Sequence, residues 1–171
     1  MQLTLFRHGI AQPREASIPD ADRQLTTKGI DRTIQAAKGL AVCCTDVQLI
    51  LTSPKIRARQ TADIASEILD VKVQISDVLA KDDLDAIAKT VGEFEEEHIM
   101  LVGHEPTFTE LASYLCSEPA RCKKACGQSS LVLKKAGALS LSLNRNSQRL
   151  RRPGQLLWLM QPSMLRKLGK S

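Results

Sequence analysis

Three places in this 171-residue chain bring arginine and histidine to the end of a short apolar run. Leu3 to Phe6 leads into Arg7-His8-Gly9. Val47 to Thr52 leads into Ser53-Pro54-Lys55-Ile56-Arg57, and Ile99 to Val102 leads into Gly103-His104-Glu105-Pro106. Each run has the length and composition of a buried strand. Open α/β sheets bind ligands outside the carboxyl ends of their strands. If these strands are parallel neighbours, Arg7, Arg57, His8 and His104 converge in one pocket.

Such a set suits a phosphoryl group. Arginine forks bind phosphate oxygens bidentately, and two of them stabilise the charge that spreads over the oxygens during in-line transfer. A neutral imidazole nitrogen is a competent nucleophile for phosphorus. Arg7 and Arg57 are expected to lower the pKa of His8, and a carbonyl on its other ring nitrogen would fix the tautomer. His104 can donate to a phosphoryl oxygen. The arginines and histidines supply the positive charge, so no divalent metal and no cofactor are expected.

The elements that must position these residues alternate through the first two thirds of the chain. Thr26 reads as the N-cap of a helix carrying Ile30, Ile34, Ala37 and Ala41 at helical spacing. Ser53-Pro54 reads as an N-cap followed by a first-turn proline, opening a helix through Ile64 and Ile68. Arg57 then stands near a helix N-terminus, which favours anions. Val71 to Ile75 reads as a strand. Leu84, Ile87, Ala88, Val91 and Phe94 mark one helix face, and Phe108, Leu111, Ala112 and Leu115 another. Leu131 to Lys134, Leu139 to Leu143 and Leu156 to Met160 read as strands, the last two joined by a solvated loop that includes Arg145 to Arg152. That loop reads as the solvated tip of a hairpin. The tail from Arg166 to Ser171 is expected to fray. Residues 1–171 thus read as one α/β domain, a three-layer sandwich with helices on both faces of a mixed, mostly parallel sheet.

Bulk composition agrees with a globular protein: 43% hydrophobic and 25% charged. No apolar run approaches the roughly 18–20 residues of a membrane span, and Met1 to Phe6 reads as a strand, not a signal peptide. A cytoplasmic location with no membrane partner is expected. The odd set Cys43, Cys44, Cys116, Cys122 and Cys126 lacks the spacing of a disulfide framework or a zinc knuckle and reads as reduced thiols. The net charge of +5 favours anionic ligands. Aromatics make up only 3%, too few for single-strand stacking platforms, so nucleic acid is not an expected partner.

The motifs also resemble a known family. Phe6-Arg7-His8-Gly9, the segment Arg23-Gln24-Leu25-Thr26-Thr27-Lys28-Gly29, the block from Ser53 to Ala62 and Val102-Gly103-His104-Glu105-Pro106-Thr107 resemble, in order, the blocks of the histidine phosphatase superfamily. That superfamily includes the cofactor-dependent phosphoglycerate mutases, and the resemblance implies a phosphoglycerate mutase-like fold. Short length and block wording look most like the SixA-type phosphohistidine phosphatases. The resemblance implies that His8 is phosphorylated, that Arg7, Arg57 and His104 complete the phosphate pocket, that Arg23 approaches its rim, and that Gly9 allows close backbone approach after the nucleophile.

The stretch between Arg57 and His104 is short and offers no clear match to the glutamate general acid of the mutase branch. Asp82 and Asp83 fall in the right region but read as helix caps, and Glu105 reads as complementing a helix N-terminus. An imidazole leaving group needs an acid less than an alkoxide does. The expected substrate is therefore a phosphohistidine on a signalling or phosphotransfer protein, met in a pocket without a lid. A small phosphate ester is the alternative. A phosphate-binding module would have no use for His8 as a nucleophile.

Overall fold

The computed structural model describes residues 1–118 and 131–170. Alternation along the strands divides the apolar residues between two layers, as the two-residue period of a pleated strand requires. On β1 (Gln2–Arg7), Leu3 and Leu5 join one core and Phe6 the other. On β2 (Leu49–Thr52) and β4 (His98–Gly103), Leu49, Leu51, Ile99 and Leu101 pack on the same side as Leu3 and Leu5. Ile87 and Val91 of α3 (Leu84–Glu93) and Phe108 and Leu111 of α4 (Thr107–Cys116) cover that face. Ile50, Met100 and Val102 turn the other way. They meet Ala36, Ala37 and Leu40 of α1 (Thr27–Cys43), Ala58, Ala62 and Ala65 of α2 (Ile56–Leu69) and Leu165 of α5 (Pro162–Leu168).

With β3 (Val73–Ile75), β5 (Ala138–Asn146) and β6 (Arg149–Met160), the sheet order is β3-β2-β4-β1-β5-β6. The pairs β1–β4, β2–β4 and β2–β3 are parallel, and β1–β5 and β5–β6 are antiparallel. This is the expected three-layer α/β fold with a mixed, mostly parallel sheet. Register sets the site. Arg7 pairs with Gly103, and Thr52 pairs with Val102, so three strand ends finish at one level. The chain stays in step past those ends: the His8 amide donates to the Gly103 carbonyl and the Ser53 amide to the Val102 carbonyl, each at 3.0 Å.

Several local expectations are corrected. Leu131 to Lys134 form no strand. Side chains meet part of their backbone instead: Arg7 Nη1 donates to the Leu133 carbonyl, Gln161 Nε2 donates to the Val132 carbonyl, and the Lys134 amide donates to Gln161 Oε1. The run from Arg145 to Arg152 is the expected, mostly exposed hairpin, but strand extends further into it than expected, leaving only Ser147-Gln148, both at positive φ, as the turn. Arg145 is anchored on the carbonyls of Phe94, Glu95 and Glu96 and on the Glu97 carboxylate. The tail is ordered further than expected: α5 continues through Leu168, and the Gly169 amide donates to the Leu165 carbonyl at 3.0 Å.

His98 has no place among the motifs read from the sequence. It opens β4, buried, with Nδ1 2.8 Å from Asp46 Oδ1 and Nε2 2.9 Å from Thr4 Oγ1. Thr26 does cap α1, accepting from the Gly29 amide. Cys44 is buried, and Cys43 and Cys116 are half-buried free thiols. Cys122 and Cys126 lie outside the described residues. No described helix is long and apolar enough to cross a membrane.

Candidate active site

A cavity of about 520 Å3 opens beyond the aligned ends of β1 and β4, walled by Arg7, His8, Arg23, Arg57 and His104. All five predicted side chains therefore meet in one place. His8 follows the last residue of β1, and its Nδ1 lies 2.7 Å from the Gly9 carbonyl oxygen. A carbonyl only accepts, so Nδ1 carries the proton, and in the neutral ring Nε2 carries the lone pair. Arg57, buried in the first turn of α2, directs Nε at that lone pair from 3.3 Å.

His104 follows β4. Its ring centroid lies 5.1 Å from that of His8, tilted by 57°. Ser53 Oγ lies 2.9 Å from His104 Nε2, while His104 Nδ1 has no partner among the described residues. Ser53 is thus not the helix cap. Lys55 holds the N-cap position of α2, and no side chain caps it. The assignment turned on strand order: only the β2–β4 pairing brings Ser53 beside His104, and a serine before a proline gives no hint of it.

Arg7 ends β1, with Nη1 2.6 Å from the Leu133 carbonyl and its Nε without a partner among the described residues. Gly9 sits behind His8. A Cβ there would come within 2.2 Å of Thr33 Oγ1 and 3.2 Å of Leu25. The bare glycine lets this turn pack on α1 while its carbonyl holds His8 and its amide donates to Thr61 Oγ1. Arg57 is buried, whereas Arg59 on the same helix is exposed.

Sequence reasoning missed three residues here. Asp20, in a 3-10 turn (Asp20–Asp22), carries the contacts that tie the arginines together. Its Oδ1 accepts from Arg23 Nε and Nη2 at 3.1 and 2.7 Å, and its Oδ2 from Arg57 Nη2 at 3.0 Å. The three-residue spacing of Asp20 and Arg23 was the available signal. Lys135 reaches the cavity from the turn before β5. Lys55 lines the cavity too and pairs with Asp20 at 3.4 Å. Of the two aspartates read as caps, Asp83 caps α3 through the Ala86 amide. Asp82 instead accepts from Thr107 Oγ1 at 2.6 Å and faces the cavity.

Electrostatics favour neutral histidines and bound anions. Burial, opposed by the Gly9 hydrogen bond and reinforced by Arg57, Arg7 and Lys135, brings the His8 pKa from 6.5 down to about 3. Burial, not the neighbouring cations, is thus the leading cause. Burial first, then His8 and Arg57, likewise holds His104 at about 3. Burial opposes ionisation of Asp20, but hydrogen bonds from Arg23 and Arg57 outweigh it and keep the carboxyl well below the usual range. Glu105 moves the other way. Burial raises it, against a hydrogen bond from Thr109 and the charge of Arg7. Among the described residues no group of three or more His, Cys, Asp or Glu could hold a metal ion.

Known proteins agree with this picture. The family model "Histidine phosphatase superfamily (branch 1)" matches residues 3–99. An uncharacterised protein of Picosynechococcus sp. is 39% identical over 148 residues, covering 82% of this chain and 84% of that one. The solved structure of the protein histidine phosphatase SixA complexed with tungstate superposes with a TM-score of 0.77 at 24% identity, covering 96% of this chain and 99% of that one. A mycobacterial glucosyl-3-phosphoglycerate phosphatase superposes with a TM-score of 0.70 at 18% identity, covering 94% and 99%. At these identities the structural likenesses concern the fold. The chain belongs to branch 1 of the histidine phosphatase superfamily, with a SixA-like fold.

Proposed function

We propose that this protein hydrolyses phosphohistidine on a signalling or phosphotransfer protein, with His8 as the nucleophile. Nε2 of His8 attacks phosphorus, forming the P–N bond to the enzyme as the P–N bond to the substrate imidazole breaks. The departing imidazole takes up a proton. Water then attacks the phosphoryl group on His8, the P–N bond breaks, and orthophosphate and the free imidazole of His8 are released. Arg7 and Arg57 bind the phosphoryl oxygens throughout. The unpartnered Nδ1 of His104 donates to one of them when the proton of its neutral ring sits there, with Ser53 donating to Nε2. Arg23 binds at the outer rim. Gly9 supports the site from behind through the carbonyl that fixes His8.

The observation that carries this reading is the pair of contacts on the His8 ring. The Gly9 carbonyl holds the proton on Nδ1, and Arg57 meets the lone pair on Nε2. The ring is thereby neutral, oriented and faced by a cation, as a phosphorus nucleophile must be. The positive charge of the arginines stands in for a metal. Support for a protein substrate comes from the short segment between α2 and α3. It holds β3 and the 3-10 turn Asp77–Ala80, which forms part of the cavity wall. It also comes from the likeness to SixA, a protein histidine phosphatase.

One observation favours a small phosphate ester instead. Glu105 lines the cavity with its pKa raised by burial, so it holds a proton more readily than an ordinary carboxyl, as an alkoxide leaving group requires. A phosphohistidine-bearing phosphotransfer domain and a small phosphomonoester, each incubated with wild type and with His8→Ala, separate the two readings. Fast His8-dependent loss of phosphohistidine with slow ester turnover is expected. The reverse order assigns the protein to small esters.

A further inference from the structure

Asp20 takes no part in the phosphoryl transfer, yet it touches more of the pocket's cations than any other residue. Arg57 has three nitrogens, and Asp20 holds two of them. Nη1 donates to the Asp20 carbonyl and Nη2 to its carboxylate Oδ2 at 3.0 Å. A guanidinium is a rigid plane, so fixing two nitrogens fixes the third. The third, Nε, faces Nε2 of His8 at 3.3 Å. The same carboxylate takes Nε and Nη2 of Arg23, whose Nη1 is held by the Gln12 carbonyl at 2.6 Å.

We propose that Asp20 is a positioning residue that aims Arg57 at the phosphoryl group on His8 and locks Arg23 to the same anchor. The inference rests on the phosphatase reading of this pocket.

Charge makes the anchor necessary as well as geometry. Arg7, Arg23, Lys55, Arg57 and Lys135 all line one cavity. Asp20 pairs with Arg23, Lys55 and Arg57, and with Arg14 at 3.6 Å. Without that carboxylate the cations repel one another, and buried Arg57 keeps only the hydrogen bonds to His8 and to the backbone. The Asp20 side chain is itself 39% exposed on a surface turn, so its replacement leaves no hole in the core.

The test uses the full chain with Asp20→Asn, Asp20→Ala and Asp20→Glu. Steady-state turnover is measured on a phosphohistidine protein and on a phosphomonoester, and calorimetry follows vanadate and orthophosphate. For Asp20→Asn and Asp20→Ala, kcat is expected to fall roughly ten- to hundredfold, the scale of a misaimed catalytic group. Vanadate affinity falls in parallel because it depends on transition-state geometry, while orthophosphate binding holds or tightens as the cavity gains positive charge. Asp20→Glu recovers part of the loss. In an Arg57→Lys background, which keeps the charge but not the fork, adding Asp20→Asn costs little more, as expected of residues acting in series.

Unchanged or raised kcat and vanadate affinity in Asp20→Asn would overturn the proposal, making Asp20 an anion that the substrate displaces. A lowered melting temperature with equal loss of both oxyanions would overturn it too, in favour of a purely structural role. Failure of the phosphatase reading is visible separately, as a wild type that hydrolyses neither substrate. The vanadate comparison then still decides what Asp20 does to Arg57.

Discussion

Ser53 Oγ lies 2.9 Å from Nε2 of His104, joining a side chain past the end of β2 to the second histidine past the end of β4. Both residues are buried, so neither ring nitrogen nor hydroxyl exchanges this bond for one to bulk water. The contact leaves His104 one ring nitrogen, Nδ1, for a phosphoryl oxygen. Replacing Ser53 with Ala removes the constraint on the ring. A net hydrogen bond of about 0.5–1.5 kcal/mol corresponds to roughly a two- to tenfold fall in kcat. Steady-state kinetics of Ser53→Ala check this, and undiminished kcat would show that His104 needs no such support.

Acid sensitivity follows from the two histidines. Both have folded-state pKa values of about 3 against an ordinary 6.5. Between those values the unfolded chain binds more protons than the folded one. The stability that the neutral rings contribute is complete above about pH 6.5 and is lost as pH falls toward 3. Melting temperatures measured across that range are expected to fall less steeply for His8→Asn than for wild type. Equal slopes would mean that burial does not hold His8 neutral.

Gly9 gives a prediction about packing. A methyl group there meets Thr33 Oγ1 at 2.2 Å, closer than any unstrained contact, and Thr33 is itself bonded to the Gly29 carbonyl. Gly9→Ala is expected to destabilise by about 1–3 kcal/mol, the usual cost of overpacking. Chemical denaturation measures it. Relief by Thr33→Ala in the double variant would locate the clash, and an unaltered midpoint for Gly9→Ala would refute it.

Metal independence is a fourth expectation at the site. Arg7, Arg23, Arg57, Lys55 and Lys135 supply the cavity's positive charge. Prolonged treatment with EDTA is expected to leave turnover unchanged, and vanadate to inhibit. Loss of activity on chelation, restored by a divalent ion, would contradict the account.

The sequence revealed the site more fully than its supports. Arg7, His8, Arg57 and His104 could be found because each follows an apolar run directly, and strand ends in an α/β sheet point to one rim. The elements were legible for the same local reason, apolar runs such as Leu3 to Phe6 and helical spacing such as Leu84, Ile87 and Val91, whereas the face read on α1 is rotated: of Ile30, Ile34, Ala37 and Ala41 only Ala37 is buried. What stayed hidden depends on which strands pair. Ser53 meets His104, and His98 meets Asp46, only because β2 lies beside β4, and His98 finds Thr4 only because β4 lies beside β1. Asp20 lay in a stretch with neither period, and its contacts are set by where α2 begins. The hairpin arginines misled for another reason. Charge in a run reads as solvent, but Arg145 spends its donors on carbonyls across the fold.

The central claim is a phosphoryl group carried on His8. Its most direct test is to mix the enzyme with a substrate bearing labelled phosphate, quench within milliseconds, and map the label on the protein. The account expects a label that is stable to alkali and lost in acid, as a phosphoramidate is, located at His8 and absent from His8→Ala together with turnover. Label at another residue, or turnover retained by His8→Ala, would contradict it.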